Sequence, residues 1–495
     1  MRRFSQMPTL RPMLAGIAVL ALAGCAVGPD FRSPAPPAAD RFTRSPLPTA
    51  TASVDAPGGT AQQFVRDADM PGAWWSLYRS PALDALVERG LKANPDLAAA
   101  QAALRAARET YIAAHAGLLP TVDGGYNVNS QKVARSVASP LADNASIFTL
   151  HTAQLNVSYT PDLFGAARRG VESVKAQADA QRFQTEATYL TLTTNLVVAA
   201  MQAATLHDQI AATRTIIGSD QDVLGRMRRQ YALGELARSD VAAQETVLAQ
   251  AKQLLPPLEK QYAQTRDQID DLTGRFPSEA DTGSLSLSDL TLPADLPISL
   301  PSRLVAQRPD VQAAEANLHA ASALVGVAMA NRLPNIALTA NGGGASTALG
   351  ALLSNGNGFW GVTGGLTQPI FDGGVLKHRQ RAAEAALDQA EAQYRSAVLS
   401  AFQNVADALE AIQADAYAMK AAAETERSAK ESLSIAERQF SAGQVGSIAV
   451  LNAEQTYQQA VAARVQAEGA RYTDTAALFQ ALGGGWWNRS ETRAE

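Results

Sequence analysis

The sequence predicts a mainly α-helical fold with two pairs of β-strands, in which one structural unit occurs twice. Period-two alternation in short segments predicts the strands, and two long proline-free stretches predict the helices. The doubling follows from four landmarks that recur in the same order, at a spacing far longer than a solenoid repeat. They are Asn94-Pro95-Asp96 with Arg308-Pro309-Asp310 and Leu119-Pro120 with Leu333-Pro334, both offset by 214 positions, then Tyr231-x-x-Gly234 with Phe440-x-x-Gly443, offset by 209, and Leu272-x-Gly274 with Leu482-x-Gly484, offset by 210.

Composition points to closely packed helices and away from nucleic-acid binding. The 495 residues carry a formal net charge of −5, which excludes the strongly basic field that such binding requires. Aromatic residues make up only 6% of the chain, whereas Ala and Gln, which suit long helices, are abundant. Because Cys25 is the only cysteine, a disulfide bond within one chain is excluded.

The N-terminus has the pattern of a lipoprotein signal peptide. A basic start is followed by an apolar run, Met13 to Leu22, that is too short for a membrane-spanning helix. The next residues, Leu22-Ala23-Gly24-Cys25, resemble the bacterial lipobox. Cleavage before Cys25 leaves its thiol free to take a diacylglycerol, which would anchor the protein to a membrane face. The alternative is an ordinary signal peptide with an incidental cysteine.

The chain is expected to divide into five segments. Pro, Ala, Ser and Thr dominate residues 25–70, which cannot bury enough apolar area to fold alone and therefore form an extended tether or strap. The expected segments are a signal peptide at 1–24, the tether at 25–70, a first structural repeat at 71–295, a second at 296–487 and a C-terminal tail at 488–495.

Each half begins with a helix of moderate length and continues with two strands. The helices are predicted from Pro81 to Gly117 and from Ser302 to Asn331, with Pro95 and Pro309 dividing or kinking them. In the strand segments, apolar residues alternate with small or polar ones over about ten residues, enough to cross a bilayer as a tilted β-strand. Periodicity alone favours a soluble hairpin with one wet face. The alternating apolar or small positions include Val122, Gly124, Tyr126, Val128, Leu155, Val157, Tyr159, Ile336, Leu338, Ala340, Trp360, Val362 and Leu366.

Two long helices follow the strand pairs. Neither Gly165 to Tyr231 nor Gly373 to Phe440 contains proline. Ile210, Ile217 and Leu224 are spaced by sevens, as in a coiled-coil seam. About 67 residues at 1.5 Å each give a rod of roughly 100 Å, longer than a globular domain of this size needs.

A tight reversal at a glycine ends each long helix. Gly234 and Gly443 are the predicted turn residues. Return helices are expected from Ser239 to Thr273 and from Ile448 to Leu482. Pro256-Pro257 is expected to interrupt the first return helix and has no counterpart in the second.

Four strands per chain cannot close a β-barrel. An open sheet edge does not survive in lipid, because its backbone groups would lack hydrogen-bond partners. If the strands cross a membrane, several chains must pool them, and three chains would supply about twelve strands.

Six motifs, several of them specific, are spread along the chain from about Cys25 to Trp487. They are Cys25-Ala26-Val27-Gly28-Pro29-Asp30-Phe31, Trp74-Trp75 before Pro81-x-Leu83, Asn94-Pro95-Asp96-Leu97, Asp162-Leu163-Phe164-Gly165, Pro369-Ile370-Phe371-Asp372-Gly373-Gly374 and Ala481-Leu482-Gly483-Gly484-Gly485-Trp486. In these motifs and their order, the chain resembles the outer-membrane efflux proteins, the TolC-like channels, in their lipoprotein (NodT-type) branch.

The resemblance implies a homotrimer whose twelve strands form a β-barrel in the outer membrane, continued by a long α-helical coiled-coil barrel into the periplasm. Its implied partners are a periplasmic adaptor (membrane fusion) protein, an inner-membrane pump of the resistance-nodulation-division type, and outer-membrane lipid. The implied function is passive conduction of drugs, dyes or other toxic small molecules to the exterior. No catalysis, cofactor, metal or nucleic acid is expected.

The resemblance also locates candidate site residues. Relatives carry a constricting apolar residue after the second reversal and, four positions on, an aspartate; here these positions are Ile448 and Asn452. Asn452 departs from the common Asp, and its neutral amide would not supply the ring of negative charge that an aspartate gives at this level. The alternative is that both are ordinary seam residues. The tip residues Gly234, Asp240, Gly443 and Ser447 are candidate adaptor contacts.

The remaining sequence features do not indicate a catalytic or metal-binding site. The five histidines share no metal-ligand spacing. Asp162 and Asp372 lie where strand passes to helix, and helix capping is the preferred interpretation of both. Two alternatives stay open: a type I secretion channel for polypeptides, and a structural coiled-coil lipoprotein without a pore, which would leave the amphipathic strands unexplained.

Overall fold

The computed structural model describes residues 26–134, 136, 137, 139, 141, 143–278 and 283–489. Cys25 and the predicted signal peptide therefore lie outside the described residues.

The two halves of the chain contain the same elements in the same order. The second helix, the first strand, the long helix and the return helix have 22, 12, 67 and 35 residues in both halves. The predicted doubling is thus confirmed. The first half is α1 (Pro81–Ala93), α2 (Pro95–Ala116), β2 (Thr121–Lys132), β3 (Ile147–Tyr159), α3 (Ala166–Ala232) and α4 (Arg238–Leu272), after a short strand β1 (Gln63–Arg66). The second half is α5 (Pro301–Gln307), α6 (Pro309–Ala330), β5 (Asn335–Ser346), β6 (Gly358–Thr367), α7 (Val375–Ser441) and α8 (Ser447–Ala481), after a short strand β4 (Asp295–Ile298).

Pro95 and Pro309 divide the first helices, because each begins a new helix. The residue before each proline then holds the end of the return helix in its own half. Asn94 Nδ2 donates to the carbonyl oxygen of Leu272 at 3.0 Å, and Arg308 Nη1 donates to that of Ala481 at 3.0 Å. The sequence landmark at the start of each half thus contacts the landmark at its end. The two hydrogen bonds satisfy carbonyl groups that the end of a helix leaves without partners.

The long strands form one antiparallel sheet in the order β2-β3-β5-β6. β3 pairs with β5 from the other half, so β2 and β6 are the edges. The predicted strands are confirmed, and their register places the alternating apolar positions on one face of the sheet. That face is exposed: Val122 is 64% accessible and Trp360 is 82% accessible. A contiguous exposed apolar face is typical of an interaction or membrane surface.

The chain divides into two compact units. One contains the sheet, within Arg105–Ala180 and Ala314–Tyr394, together with the start of the described chain. The other contains Pro34–Leu104, Gln181–Ala313 and the segment from Arg395 onward.

The part of the predicted tether from Pro34 to Met70 is a strap within the second unit. It contains β1, which pairs in parallel with β4 and which the sequence analysis missed. Buried Arg471 holds the strap, because its guanidinium donates to the carbonyl oxygen of Thr60 at 3.0 Å and to Gln62 Oε1 at 3.2 Å. Gln62 Nε2 in turn donates to Thr475 Oγ1 at 3.0 Å.

The predicted interruption at Pro256-Pro257 is wrong, because α4 is continuous from Arg238 to Leu272. Both prolines are exposed, as are Lys252 and Gln253, the residues four positions before them, whose carbonyl groups face the missing N–H groups. The carbonyl groups that lose a backbone donor can therefore bond to water, and the fixed proline φ is close to that of a helix.

Both aspartates at the strand-to-helix junctions act as caps, as predicted. Asp162 Oδ2 accepts the backbone N–H of Arg168 at 2.8 Å, and Asp372 accepts those of Gly374 and Leu376 at 2.8 and 2.7 Å. A carboxylate here satisfies free N–H groups and the positive end of the helix dipole.

Candidate functional site at the helix reversals

Gly234 and Gly443 make equivalent reversals at the ends of α3 and α7. Their φ values are +77° and +71°, in the left-handed region that favours glycine. The next residue, Glu235 or Gln444, donates its N–H across the helix end to the carbonyl oxygen of residue 230 or 439, at 2.9 and 2.8 Å. This pattern is a Schellman cap. Open space surrounds both glycines, so the backbone conformation requires them and crowding does not.

The two reversals are joined by a side-chain contact. Ser447 Oγ donates to Asp240 Oδ1 at 2.8 Å, linking the first turn of α8 to the first turn of α4. Ser447 is buried, whereas Gly234 and Gly443 are exposed. Of the four predicted adaptor contacts, the glycines thus lie on the accessible surface, and the two polar residues are engaged with each other.

Ile448 and Asn452 lie on one exposed face at the start of α8. They are four residues apart, so their side chains stand on successive turns of the same face. Ile448 is 61% accessible within one chain, and Asn452 is exposed. A large apolar side chain this accessible is available to an assembly or a pore. Their role as a constriction stays a prediction.

The opposite face of α8 is buried and contains a carboxyl group. Leu451 and Glu454 are 6% and 7% accessible, in line with buried Ser447. Glu454 faces Asp220 of α3, whose side chain is fully buried. Burial, and next the negative charge of Asp220, raise the pKa of Glu454 to about 7. Burial also raises the pKa of Asp220.

Two glutamines complete the surroundings of Asp220. Gln244 Nε2 of α4 donates to Asp220 Oδ1 at 3.3 Å, and Gln458 Nε2 of α8 donates to Asp220 Oδ2 at 3.4 Å. The sequence analysis missed this cluster. Its signal is that Ser447, Leu451, Glu454 and Gln458 step by four, three and four, which places a carboxylate in a seam where an apolar residue is expected.

An apolar cluster holds α3 against α4 near the tip. Leu224, Met227, Val241 and Leu248 are buried together, with Ile217 packed against them. Ile217 and Leu224 belong to the predicted seven-residue seam. Two exposed ion pairs lie beside the cluster: Glu245 accepts from Arg228 at 2.9 Å and from Arg238 at 3.1 Å. Because exposed ion pairs contribute little to stability, the apolar contacts are what stabilise this hairpin.

The first described residues are fixed in the unit that contains the sheet. The N–H of Val27 donates to the carbonyl oxygen of Phe164 at 3.1 Å, just before α3 begins. Arg169 Nη2 donates to Asp30 Oδ1 at 2.5 Å, and Phe31 stacks on His319 with ring centroids 4.2 Å apart. The residues that follow position 25 therefore lie at the junction between a strand and a long helix.

Comparisons with known proteins agree on one family. The sequence model described as Outer membrane efflux protein matches residues 86–275 and 300–484. The pyoverdine export outer membrane protein OpmQ of Pseudomonas putida is 32% identical over 425 residues, which cover 85% of this chain and 89% of that protein. The probable efflux pump outer membrane protein TtgC of the same species is 28% identical over 484 residues, 96% of each chain.

Solved channels have the same fold. The outer-membrane channel OprN is 27% identical, with a TM-score of 0.82 over 93% of this chain and 100% of that one. The open state of the Neisseria gonorrhoeae MtrE outer membrane channel is 26% identical, with a TM-score of 0.81 over 94% of this chain and 100% of that one.

Proposed function

The chain belongs to the outer membrane efflux protein family, and we propose that three copies of it assemble into one conducting channel. It is the outer-membrane component of an efflux pump, as its relatives are. We propose that it acts by passive conduction, with no catalytic step and no cofactor.

The observation that supports a trimer is that the four-stranded sheet has two open edges, β2 and β6. In lipid, the backbone groups of both edges need partners. Three such sheets joined edge to edge would close a barrel of about twelve strands, an even number typical of bacterial outer-membrane barrels. The exposed apolar side chains of Val122 and Trp360 suit the lipid-facing side of that barrel.

We assign the partners and the cargo by class. The exposed reversals at Gly234 and Gly443, with the Asp240–Ser447 contact beside them, are the proposed docking surface for a periplasmic adaptor that connects to an inner-membrane pump of the resistance-nodulation-division type. Relatives carry pyoverdine, antibiotic or toluene in their names. We therefore propose small organic molecules as cargo, rather than the polypeptides of a type I secretion channel.

The proposed constriction consists of Ile448 and Asn452. Their shared exposed face at the start of α8 supports this role, because three copies would bring three apolar side chains to one level and three amide side chains to the level one helical turn further on. An amide in place of a carboxylate would make that ring neutral.

Lipidation of Cys25 is the proposed membrane anchor. The hydrogen bond from Val27 to Phe164 and the contact of Arg169 with Asp30 support it, since they fix the chain directly after position 25 to the start of α3, a few residues after β3 ends. A lipid at this place would meet the same membrane as the strands.

Planar-bilayer recording of the purified, cross-linked trimer tests the channel. Discrete conductance steps are expected, and a trimer that conducts no ions at any voltage would favour a structural coiled-coil protein. Deleting the gene should sensitise cells to dyes and drugs. Sensitivity that stays unchanged, together with loss of a secreted polypeptide, would favour type I secretion.

A further inference from the structure

Asp220 and Glu454, here called the acid pair, bring two carboxyl groups together between α3 and α8. Asp220 is fully buried and Glu454 is 7% accessible within one chain. At about 1.5 Å per residue, Glu454 lies roughly 10 Å from the start of α8, close to the candidate constriction. The burial of the pair is complete without a second chain.

Every helix packed around the acid pair contributes a polar or charged group. Asp220 accepts amide hydrogen bonds from Gln244 of α4 and Gln458 of α8. Glu437 of α7 adds a further negative charge that raises the pKa of Glu454, whereas Arg226 of α3 lowers it. Within the described part of the chain, no basic side chain forms an ion pair with either carboxylate. Glu454 Oε2 is buried without a hydrogen-bond partner.

The two other carboxyl groups of α8, buried Glu468 and half-buried Asp474, have an arginine nearby. Glu468 accepts from Arg464 at 2.7 Å, and Arg464 also pairs with Glu426 at 2.6 Å. Asp474 lies beside Asp415, and the charge of Arg471 opposes the rise in the pKa of Asp415. The acid pair differs because Asp220 is surrounded by two neutral amides and has no cation in contact with it. A proton shared by the two carboxyl groups is therefore what can neutralise one of their two negative charges.

We propose that the acid pair is a proton-operated latch that holds the first turns of α8 against α3 and so controls the candidate constriction. This inference rests on the proposed channel function. With the proton present, the Glu454 carboxyl donates a hydrogen bond to the Asp220 carboxylate, which then has three donors. When the proton leaves, the O–H bond breaks, its electron pair stays on Glu454, and water accepts the proton. Two adjacent negative charges then repel each other, and α8 is released.

The helix geometry transmits this release to the constriction. Glu454 and Asn452 are two residues apart, about 200° around the helix, so they occupy opposite faces of one turn. Ile448 lies on the exposed face, one turn earlier. A shift of the buried face away from α3 therefore moves the exposed face that carries Ile448 and Asn452.

The test compares the pH dependence of conductance in the wild-type trimer and in Glu454→Gln. With a pKa of about 7, Glu454 is about nine-tenths protonated at pH 6 and about one-tenth at pH 8, so wild-type conductance should rise several-fold over this range. Gln has nearly the same shape, stays neutral and can donate to Asp220, so Glu454→Gln should stay at the low conductance throughout. Asp220→Asn should behave in the same way, because it also removes the repulsion.

Asp415→Asn is the matched control. It neutralises a half-buried acid of α7 whose pKa is also about 7. Asp415 lies beside Asp474, which is about 30 Å along α8 from Glu454. It should keep the wild-type rise in conductance. A flat wild-type profile, or a rise that survives in Glu454→Gln, overturns the latch. A Glu454→Gln channel fixed at the high conductance also overturns it, because that outcome indicates a structural role.

Amide hydrogen exchange gives a second readout that does not need conduction. In the wild type, residues 447–452 should exchange several-fold faster at pH 8 than at pH 6 after correction for the intrinsic pH dependence, and in Glu454→Gln they should not. Equal ratios in both proteins contradict the latch. A trimer that shows this exchange difference but conducts no ions contradicts the proposed channel function instead.

Discussion

Ser447 Oγ donates a 2.8 Å hydrogen bond to Asp240 Oδ1, and so ties the first turn of one return helix to the first turn of the other. The sequence marked these residues separately, as tip positions of two repeats. In the structure they form one link between two helical hairpins. Whatever docks at the tips therefore meets a joined surface.

Removing this link should loosen the tips. Ser447→Ala deletes the donor and leaves a partly buried acceptor, at a cost of about 1 kcal/mol. We expect higher conductance of the trimer and faster amide exchange in residues 447–451. Ser441→Ala is the control, because Ser441 donates only to a carbonyl oxygen at the end of its own helix. Equal exchange rates in the two variants would contradict the link.

The constriction is testable with the double variant Ile448→Ala and Asn452→Ala. Truncating both side chains should widen the narrowest level of the pore and raise single-channel conductance. Thr456, which is exposed one turn further along α8, supplies the control Thr456→Ala. Conductance that is unchanged in the double variant would show that both residues are ordinary seam positions.

The reversal glycines should resist substitution for conformational reasons. Gly443→Ala places a Cβ at φ +71° in open space, so the expected loss is about 1–2 kcal/mol, from backbone strain alone. Gly218 also has open space, but it lies inside α3, where Ala is favoured over Gly by about 1 kcal/mol. Gly218→Ala should therefore raise the thermal midpoint and Gly443→Ala should lower it. Shifts in the same direction would refute this account.

Arg471 should be essential for holding the strap in place. Arg471→Met leaves the carbonyl oxygen of Thr60 and the side chain of Gln62 without their buried donor, and each buried acceptor left unsatisfied costs about 1–3 kcal/mol. Limited proteolysis should then cut within residues 51–62. Arg395→Met, at an exposed position on α7, should leave this segment protected. Protection retained in Arg471→Met would mean that other contacts hold the strap.

Stability should fall as pH rises toward neutrality. Burial, and then the hydrogen bond and charge of Asp474, raise the pKa of Asp415 to about 7 from its usual value of 3.8. A raised folded-state pKa gives stability that is full below the unfolded pKa and is lost as pH passes the folded pKa. Thermal unfolding between pH 4 and pH 8 should therefore show a declining midpoint. Asp415→Asn should reduce the slope, and an unchanged slope would contradict this assignment.

Local patterns predicted most of the fold. Apolar residues at Ile217 and Leu224 predicted the seam of α3, and they pack in the apolar cluster near its end. Gly234 and Gly443 marked the reversals because only a left-handed turn residue suits a Schellman cap there. Pro95 and Pro309 marked the points where the first helices divide, because the fixed φ and missing N–H of proline suit the first position of a helix.

What the sequence analysis missed depends on partners distant in the chain. The pairing of Gln63 with Asp295 joins segments too short to show a period. Whether Pro256 ends a helix depends on whether water reaches the freed carbonyls, which is a matter of burial. The meeting of Asp220 with Glu454 requires the packing of two helices from different repeats, and no local pattern contains that information.

The equal helix lengths restrict how this chain can evolve. Both long helices have 67 residues and both return helices have 35. Losing one residue from either would turn everything beyond it by about 100° and draw it back by about 1.5 Å, which would separate Ser447 from Asp240. The repeat offset changes from 214 to 209 between the starts of α6 and α7, where the strands and their connection lie. Insertions and deletions have thus been accommodated among the strands, while the rods have kept a common length.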